Sequence, residues 1–223
     1  MKKSPLLIIC FVVVVAISMM TPAYSSGDED SKLALYGQYG GPFSLVDHHG
    51  KTVTDRDFLG QYVLMFFGYT YCPDVCPTSM QVISDVLDIL GEEGKNIQPV
   101  FISVDPDRDT PEALGSFISN FHPRMIALTG PKEQIVPVAD DFGVTYFKVF
   151  TPPSIGESGD SDDDTDQTAN DDYLISHSAA AYLMGTDGKF ITIFPFGMPP
   201  EIIASGIRSI FSASIKATGK SGS

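Results

Sequence analysis

Residues 62–77 read YVLMFFGYTYCPDVCP, a stretch in which a strand pattern passes directly into a helix pattern. The continuously apolar run over residues 62–67 is typical of a strand buried on both faces. After it, apolar side chains recur at helical spacing: Met80, Ile83, Val86, Leu87 and Leu90. Cys72 and Cys76 are therefore predicted at or inside a helix N-terminus, where the helix macrodipole favours thiolate over thiol. Redox chemistry and metal binding are both open to such a pair.

The spacing of the two cysteines limits their use. A disulfide between residues one helical turn apart closes a very small loop, so it restrains the unfolded chain little and is a poor structural crosslink. Redox motifs of the thioredoxin type have two residues between the cysteines, whereas Cys72 and Cys76 have three between them. We expect this spacing to bring both sulfurs to one face of the first helical turn, where they can share one metal ion or bond to each other. The third cysteine, Cys10, lies in an apolar N-terminal run and is interpreted as an ordinary apolar residue.

The first 25 residues have the pattern of an export segment. Lys2 and Lys3 precede the apolar run from Leu6 to Met20, and small residues follow near residue 23. The sequence leaves open whether this segment is a cleaved signal peptide or a retained membrane anchor, because the run is about long enough to cross a bilayer. We predict an exported protein of the bacterial periplasm, tethered to the inner membrane, with a linker over residues 26–39.

The charge of the chain is strongly acidic and unevenly distributed. A net charge of −14 argues against a nucleic-acid partner, because phosphate neutralisation needs clustered Lys and Arg. Residues 156–172 hold eight acidic residues and no basic one, and we predict a disordered, solvated loop there. This loop interrupts a single domain expected over residues 40–216, and residues 217–223 are predicted to be a flexible tail.

The order of the predicted elements indicates an α/β fold. Two short runs, 43–46 and 52–54, flank a polar turn and predict a hairpin, and a second apolar strand at 99–104 follows the cysteine helix. A strand, helix, strand unit implies parallel pairing with a right-handed crossover. Further helices are predicted at 111–121, capped by Thr110, at 132–142 and at 200–211, and further strands at 125–128, 144–150, 179–184 and 190–194. We therefore predict a thioredoxin-like fold: a central mixed sheet flanked by helices, with an N-terminal hairpin and the acidic loop as an insertion.

A third metal ligand would have to come from elsewhere in the chain, and His177 is the strongest candidate. It stands just before the apolar strand predicted from Ala179, beside the strand that delivers the cysteines, at a loop where thioredoxin-class oxidoreductases usually carry a proline. Two thiolates and an imidazole suit Cu(I), or Cu(II) with one further ligand, whereas structural zinc normally takes four protein ligands. The alternative for a lone histidine is a structural or merely exposed side chain.

Asp105 is a weaker candidate near the same place. It ends the strand predicted next to the cysteine strand, so its carboxylate is expected at the same edge of the sheet. A role as a turn or capping residue is equally open. Arg108 could neutralise Asp105 or Asp109, or stabilise a nearby thiolate.

Three motifs resemble the SCO/SenC family: residues 68–78 (GYTYCPDVCPT), residues 103–110 (SVDPDRDT) and His177-Ser178 before a strand. The resemblance spans roughly residues 40–211. It implies a thioredoxin-like domain, usually tethered by one transmembrane helix, that binds copper as Cu(I) or Cu(II). The family often has an aspartate just before the histidine, where this chain has Ser176.

The resemblance also implies a function and assigns residues to it. Cys72, Cys76 and His177 would be the copper ligands, and Asp105 matches a carboxylate that the family places near the site. The implied function is a metallochaperone for the dinuclear copper centre of cytochrome c oxidase subunit II, with other copper chaperones as further partners. The alternatives are a thiol-disulfide oxidoreductase, in which Cys72 and Cys76 reduce the copper-binding cysteines of a partner, and a peroxidase-like or redox-signalling protein.

Overall fold

The computed structural model describes residues 39–150 and 173–219. Most of the predicted linker, all of the predicted export segment (1–25) and the acidic loop (156–172) lie outside the described residues, as does the end of the predicted tail. Within the part of the chain that is described, no helix has the length and apolar character needed to cross a membrane.

The described residues form nine strands: β1 (Ser44–Asp47), β2 (Thr52–Thr54), β3 (Tyr62–Gly68), β4 (Ile97–Ser103), β5 (Ile126–Thr129), β6 (Tyr146–Phe150), β7 (Tyr173–His177), β8 (Ala180–Met184) and β9 (Phe190–Pro195). Seven of them form a central mixed sheet in the order β2-β1-β5-β4-β3-β8-β9. In this sheet β3, β4 and β5 are parallel, and β8 pairs antiparallel with β3. The predicted mixed sheet and N-terminal hairpin are confirmed.

Helices flank the sheet at the positions that the sequence predicts. They are α1 (Val75–Leu90), α2 (Pro111–Ile118), α3 (Lys132–Asp141) and α4 (Pro200–Gly219). The side chain of Thr110 accepts a hydrogen bond from the N–H of Ala113, 3.2 Å away, which confirms the predicted cap of α2. The helix α4 continues three residues into the predicted tail.

The core is densest around β3 and β4, the two central strands. Six of the seven residues of β3 are buried, because β4 and β8 pair with both of its edges and helices cover the sheet. This burial explains why residues 62–67 are continuously apolar rather than alternating. On α1, the five apolar residues that recur at helical spacing are all buried, and α1 packs against α4.

The strands β6 and β7 form a separate two-stranded ribbon, which differs from the prediction. The strand predicted over residues 144–150 is present as β6, but it pairs only with β7, outside the seven-stranded sheet. The loop expected at His177 is wrong. His177 is the last residue of β7 and pairs with Tyr146. The reason is that Tyr173 and Ile175 point inward while Leu174 and Ser176 face solvent, so residues 173–177 adopt the alternation of a half-buried strand.

Candidate metal centre

The two cysteines lie on either side of the start of α1. Cys72 belongs to a turn after β3, in which its N–H donates to the carbonyl of Tyr69 at 3.3 Å, and Cys76 is the second residue of the helix. The sequence predicts both sulfurs on the first turn of the helix. The helix begins at Val75, however, so Cys72 precedes it. The N–H of Cys76 instead points at the sulfur of Cys72, with an N···Sγ distance of 3.4 Å. The Cys72 sulfur therefore accepts one of the N–H groups that a helix N-terminus leaves without an intrahelical partner.

The three predicted ligand residues converge. The Sγ atom of Cys76 is 3.4 Å from Nε2 of His177, and the ligand atoms of Cys72, Cys76 and His177 all lie within 4.8 Å of one another. Cys76 is fully buried, whereas Cys72 and His177 are half-buried, so the cluster opens to solvent on one side. Both cysteines are free thiols. Within the described residues, this is the one group of three such side chains with metal-binding geometry.

The histidine ring is oriented by its own backbone neighbour. Nδ1 of His177 is 3.0 Å from the carbonyl oxygen of Ser178. A carbonyl can only accept, so Nδ1 donates to it, and Nε2 is the ring nitrogen that lies beside the sulfurs. Phe66 and Tyr69 pack edge to face against the ring, with centroids 6.1 and 6.0 Å away.

The two thiols have opposite acidities. The Cys76 thiol donates to the Cys72 sulfur, and the His177 ring and the N–H groups of Asp74 and Cys76 also hydrogen-bond to it, so the pKa of Cys72 lies well below its usual range. The pKa of Cys76 is raised, because its proton is held by Cys72 and because the side chain is buried. The metal-free site is therefore a half-buried thiolate beside a fully buried thiol.

Gly68 makes room for the buried sulfur, a role that the sequence did not reveal. A Cβ atom added to Gly68 would lie 2.8 Å from Sγ of Cys76 and 2.9 Å from the ring of Phe101. Both distances are shorter than folded proteins tolerate, so any larger residue at position 68 would displace the Cys76 sulfur or the ring of Phe101.

Asp109 fixes the turn that carries Cys72, and sequence reasoning missed this role. Its carboxylate is 1 % exposed and accepts hydrogen bonds from the hydroxyl of Thr70 at 2.6 Å, the N–H of Thr70 at 3.1 Å and the hydroxyl of Ser103 at 2.6 Å. Burial raises the pKa of Asp109. The signal in the sequence was faint: Thr70 follows the end of β3 by two residues, Ser103 ends the neighbouring strand β4, and Asp109 comes six residues after Ser103.

Asp105 lies at the predicted edge of the sheet, but its oxygens bind Tyr173 and Arg108. The Tyr173 hydroxyl donates to one oxygen at 2.6 Å, and Nε of Arg108 donates to the other at 2.6 Å. Arg108 also donates to the backbone carbonyl of Tyr173 at 2.9 Å, and its guanidinium carbon lies 3.6 Å from the centroid of that ring. Of the roles open to Arg108, the structure shows the pairing with Asp105. These contacts attach the first residue of β7 to the loop after β4.

The SCO1/SenC family model matches residues 32–212. The chain belongs to the SCO1/SenC family. Among its relatives, the sco1 protein of Schizosaccharomyces pombe is 40% identical over 185 residues, which are 82% of this chain and 65% of that protein. A SCO2-like protein of Rickettsia prowazekii is 41% identical over 155 residues, covering 70% of this chain and 68% of that protein. The mitochondrial SCO1 homologue of Homo sapiens is 38% identical over 157 residues, 70% of this chain but only 47% of the human protein.

Solved structures of SCO1/SenC proteins share this fold, and several contain copper. The ScoI protein of Bradyrhizobium japonicum with copper bound is 38% identical, with a TM-score of 0.63 over 77% of this chain and 98% of that chain. The ScoI protein of Arabidopsis thaliana with copper bound is 34% identical, with a TM-score of 0.65 over 75% of this chain and 94% of that chain. The thioredoxin-like fold predicted from the sequence is confirmed.

The depressed pKa of Cys72 predicts an unusual pH dependence of thiol reactivity. In the metal-free, reduced protein, the rate at which iodoacetamide alkylates Cys72 should change less than about twofold between pH 5 and 8, because the thiolate is present throughout. Quenched-flow labelling with peptide mapping measures this rate for Cys72 and Cys76 separately. The Cys76→Ala variant removes the donating thiol, so its Cys72 rate should fall at acid pH. A parent rate that rises close to tenfold per pH unit, as for an ordinary thiol, would contradict the asymmetric pair.

Proposed function

We propose that this protein is a copper metallochaperone. Copper is its cargo, Cys72, Cys76 and His177 are the ligands, and cytochrome c oxidase is the enzyme whose assembly it serves. The dinuclear copper centre of subunit II is the proposed recipient. Membership of the SCO1/SenC family and the copper found in structures of related proteins support this function.

One observation carries the proposal: two sulfurs and an imidazole nitrogen lie within 4.8 Å of one another, while the other nitrogen of the ring is held by a backbone carbonyl. Thiolates are soft ligands that select Cu(I), and an imidazole is a good third ligand for either oxidation state of copper. A structural zinc site would normally require a fourth protein ligand. Among the described residues, no further His, Cys, Asp or Glu joins this group.

The asymmetry of the thiols indicates an order of events in loading. Cys72 is half-exposed and already a thiolate, so it is suited to capture the ion first. Cys76 must lose its proton when it binds, so loading at pH 7 should release about one proton rather than two. Delivery to a recipient would reverse this sequence, with a sulfur of the recipient replacing one ligand at a time.

Asp105 has a positioning role in this proposal rather than a ligand role. Its hydrogen bond to Tyr173 fixes the start of β7, and β7 ends at His177. The same carboxylate holds Arg108, which also binds the backbone of Tyr173. We infer that the carboxylate sets the position of the histidine relative to the cysteines through this strand.

The setting of the protein follows from the N-terminal sequence. We propose that the protein is exported to the periplasm and that residues 1–25 direct it there, as a signal peptide or as an inner-membrane anchor. Residues 26–39 would then be a linker to the domain over residues 40–216, and other copper chaperones would supply the ion.

Copper titration of the full chain tests the proposal. The reduced parent should bind one Cu(I) ion, whereas Cys72→Ser and Cys76→Ser should each lose affinity by about a hundredfold or more, since each removes a thiolate ligand. Competition with a chromophoric Cu(I) chelator measures the affinities, and a pH indicator in weak buffer measures proton release. His177→Ala should also weaken copper binding, because it removes the third ligand. His122→Ala is its matched control, because His122 lies outside the cluster. Single-cysteine variants that bind Cu(I) as tightly as the parent would refute the ligand assignment.

A thiol-disulfide oxidoreductase is the second candidate, and one observation favours it. The half-buried Cys72 thiolate has the properties of an attacking thiol, and the fully buried Cys76 thiol those of a resolving one. In this reaction Cys72 attacks a partner disulfide, and Cys76 displaces the partner from the mixed disulfide, so two thiols are oxidised and one disulfide is reduced.

The His177→Ala variant separates the two functions. Reduction of a disulfide-bonded copper-binding peptide should retain at least about half of its rate in this variant, because both thiols remain, while copper binding falls sharply. Liquid chromatography of the peptide measures the rate. If His177→Ala abolished both activities with the fold intact, thiol exchange would depend on the histidine and the two functions could not be assigned separately.

A further inference from the structure

Tyr69 lies between the two cysteines and the histidine and contacts all three candidate ligands. It comes directly after β3, and its side chain is 1% exposed. Its carbonyl accepts the N–H of Cys72 at 3.3 Å, and its own N–H donates to the sulfur of Cys76. Its ring meets the ring of His177 edge to face, with the two centroids 6.0 Å apart. A change in this one side chain therefore reaches the whole site.

The hydroxyl of Tyr69 has a partner on each side. The backbone N–H of Ile175 donates to its oxygen, and the hydroxyl is also hydrogen-bonded to the side chain of Cys72. Because the Cys72 thiolate can only accept, the hydroxyl donates to the sulfur. Burial raises the pKa of Tyr69, and the negative charge on Cys72 adds to this effect, so the hydroxyl keeps its proton at neutral pH.

The ring of Tyr69 is held in place, so its hydroxyl has a fixed direction. The guanidinium carbon of Arg108 lies 5.8 Å from the centroid of the ring, which is within the range of a cation–π contact. Arg108 is itself fixed by the carboxylate of Asp105, 2.6 Å from its Nε. The ring of Tyr69 is thus confined by Arg108 and by His177, and the N–H of Ile175 holds its hydroxyl.

The hydroxyl of Tyr69 can stay with Cys72 when the site is loaded. In the metal-free protein, the Cys76 thiol and the His177 ring also hydrogen-bond to the Cys72 sulfur. In the proposed copper site, Cys76 gives up its proton, and the ligand atoms of both side chains are used to bind the ion. Tyr69 is not a ligand, so its bond to the sulfur persists, together with the bonds from the N–H groups of Asp74 and Cys76.

A hydrogen bond to a thiolate ligand changes the balance between the two oxidation states of copper. The donor draws electron density away from the sulfur, and Cu(II) depends on electron donation from sulfur more than Cu(I) does. Hydrogen bonds to ligand sulfurs are among the features by which proteins set the reduction potentials of copper and iron–sulfur centres. The bond from Tyr69 is charge-assisted, because its acceptor is an ionised sulfur, so it is stronger than a bond between neutral groups.

We propose that Tyr69 is a positioning residue of the copper site, whose hydroxyl donates to the Cys72 sulfur and biases the bound ion towards Cu(I). The inference rests on the proposed function, because it concerns the ion held at the same site. The aromatic ring supports His177, and the hydroxyl limits the electron donation from Cys72. The protein thereby keeps its cargo in the oxidation state that the thiolates of a recipient also select.

The variant Tyr69→Phe, made in the full chain, tests this role because it removes the hydroxyl and keeps the ring that packs against His177. Tyr71→Phe is the matched control: it removes a hydroxyl from the same turn, and Tyr71 is 61% exposed. Competition with chromophoric chelators under argon measures the affinities for Cu(I) and Cu(II), and their ratio gives the shift in reduction potential. Absorption in the charge-transfer region reports on the bond between Cu(II) and the thiolates.

Tyr69→Phe should strengthen Cu(II) binding relative to Cu(I) binding about tenfold, which lowers the potential of this one-electron couple by about 59 mV. The sulfur-to-copper absorption band should move to longer wavelength, because a sulfur without its donor gives up electrons more easily. Tyr71→Phe should match the parent in both measurements. An unchanged affinity ratio in Tyr69→Phe would overturn the proposal. Equal weakening of Cu(I) and Cu(II) binding, with a lower melting temperature, would also overturn it, because the hydroxyl would then act on the fold alone.

A measurement without copper separates this proposal from the proposed function. In the metal-free, reduced chain at pH 8, iodoacetamide should alkylate Cys72 about two- to fivefold faster in Tyr69→Phe than in the parent, because a thiolate that has lost a donor is a stronger nucleophile. If the parent binds no copper while this rate rises, the proposed function and the bias towards Cu(I) are wrong, although the hydroxyl bond is confirmed. If the parent binds copper and the two alkylation rates are equal, the hydroxyl does not donate to Cys72, and only the role of Tyr69 is overturned.

Discussion

The antiparallel pairing of β3 with β8 in the middle of the sheet is the contact on which the candidate metal centre depends. Phe66 is opposite Ala181, so the carboxyl end of β3 lies beside the amino end of β8. The turn that follows β3 carries Cys72, and His177 lies three residues before β8 begins. Because β3 is buried and paired on both edges, neither end can move far without disrupting the core. Residues more than a hundred positions apart in the sequence are therefore held at ligand distance.

The start of α1 adds an electrostatic asymmetry to this geometry. The Cys72 sulfur faces the N–H of Cys76 and the open end of the helix, whereas Cys76 is packed against Gly68 in the core. One sulfur is therefore charged and reachable, and the other is protonated and enclosed. Such a site can take up a soft metal ion without first paying for the removal of two protons, and it can hold the ion away from water afterwards.

Each element that carries one of the three candidate ligands is held in place by hydrogen bonds from its neighbours. Asp109 fixes the Cys72 turn, the Ser178 carbonyl orients the His177 ring, and Asp105 anchors the start of β7. The carboxylates of Asp105 and Asp109 are both buried and both accept short hydrogen bonds, so the segments that they hold have little freedom to move.

Much of this arrangement could be predicted from the sequence, for identifiable reasons. Buried strands such as β3 appear as apolar runs, and Thr110 with Pro111 has the composition of a helix cap, so local patterns were sufficient. The cysteine pair and His177 were found because their chemistry is rare in a chain with three cysteines and four histidines.

The remaining features depend on contacts that are distant in the sequence. The strand β7 is short and follows an acidic segment, and its partner β6 is separated from it by residues 151–172, so no local pattern distinguishes it from a loop. In the run SVDPDRDT, the aspartates 105, 107 and 109 look alike, yet the first and last are buried and the middle one is exposed. The role of Gly68 follows only from the position of a sulfur eight residues away on another element.

X-ray absorption at the copper K-edge of the Cu(I)-loaded full chain tests the central claim most directly, because it reports the atoms bound to the ion. The account predicts a first shell of two sulfurs and one imidazole nitrogen, with the nitrogen lost in His177→Ala and one sulfur lost in Cys76→Ser. A shell of nitrogen and oxygen alone, or one that is unchanged in both variants, would contradict it.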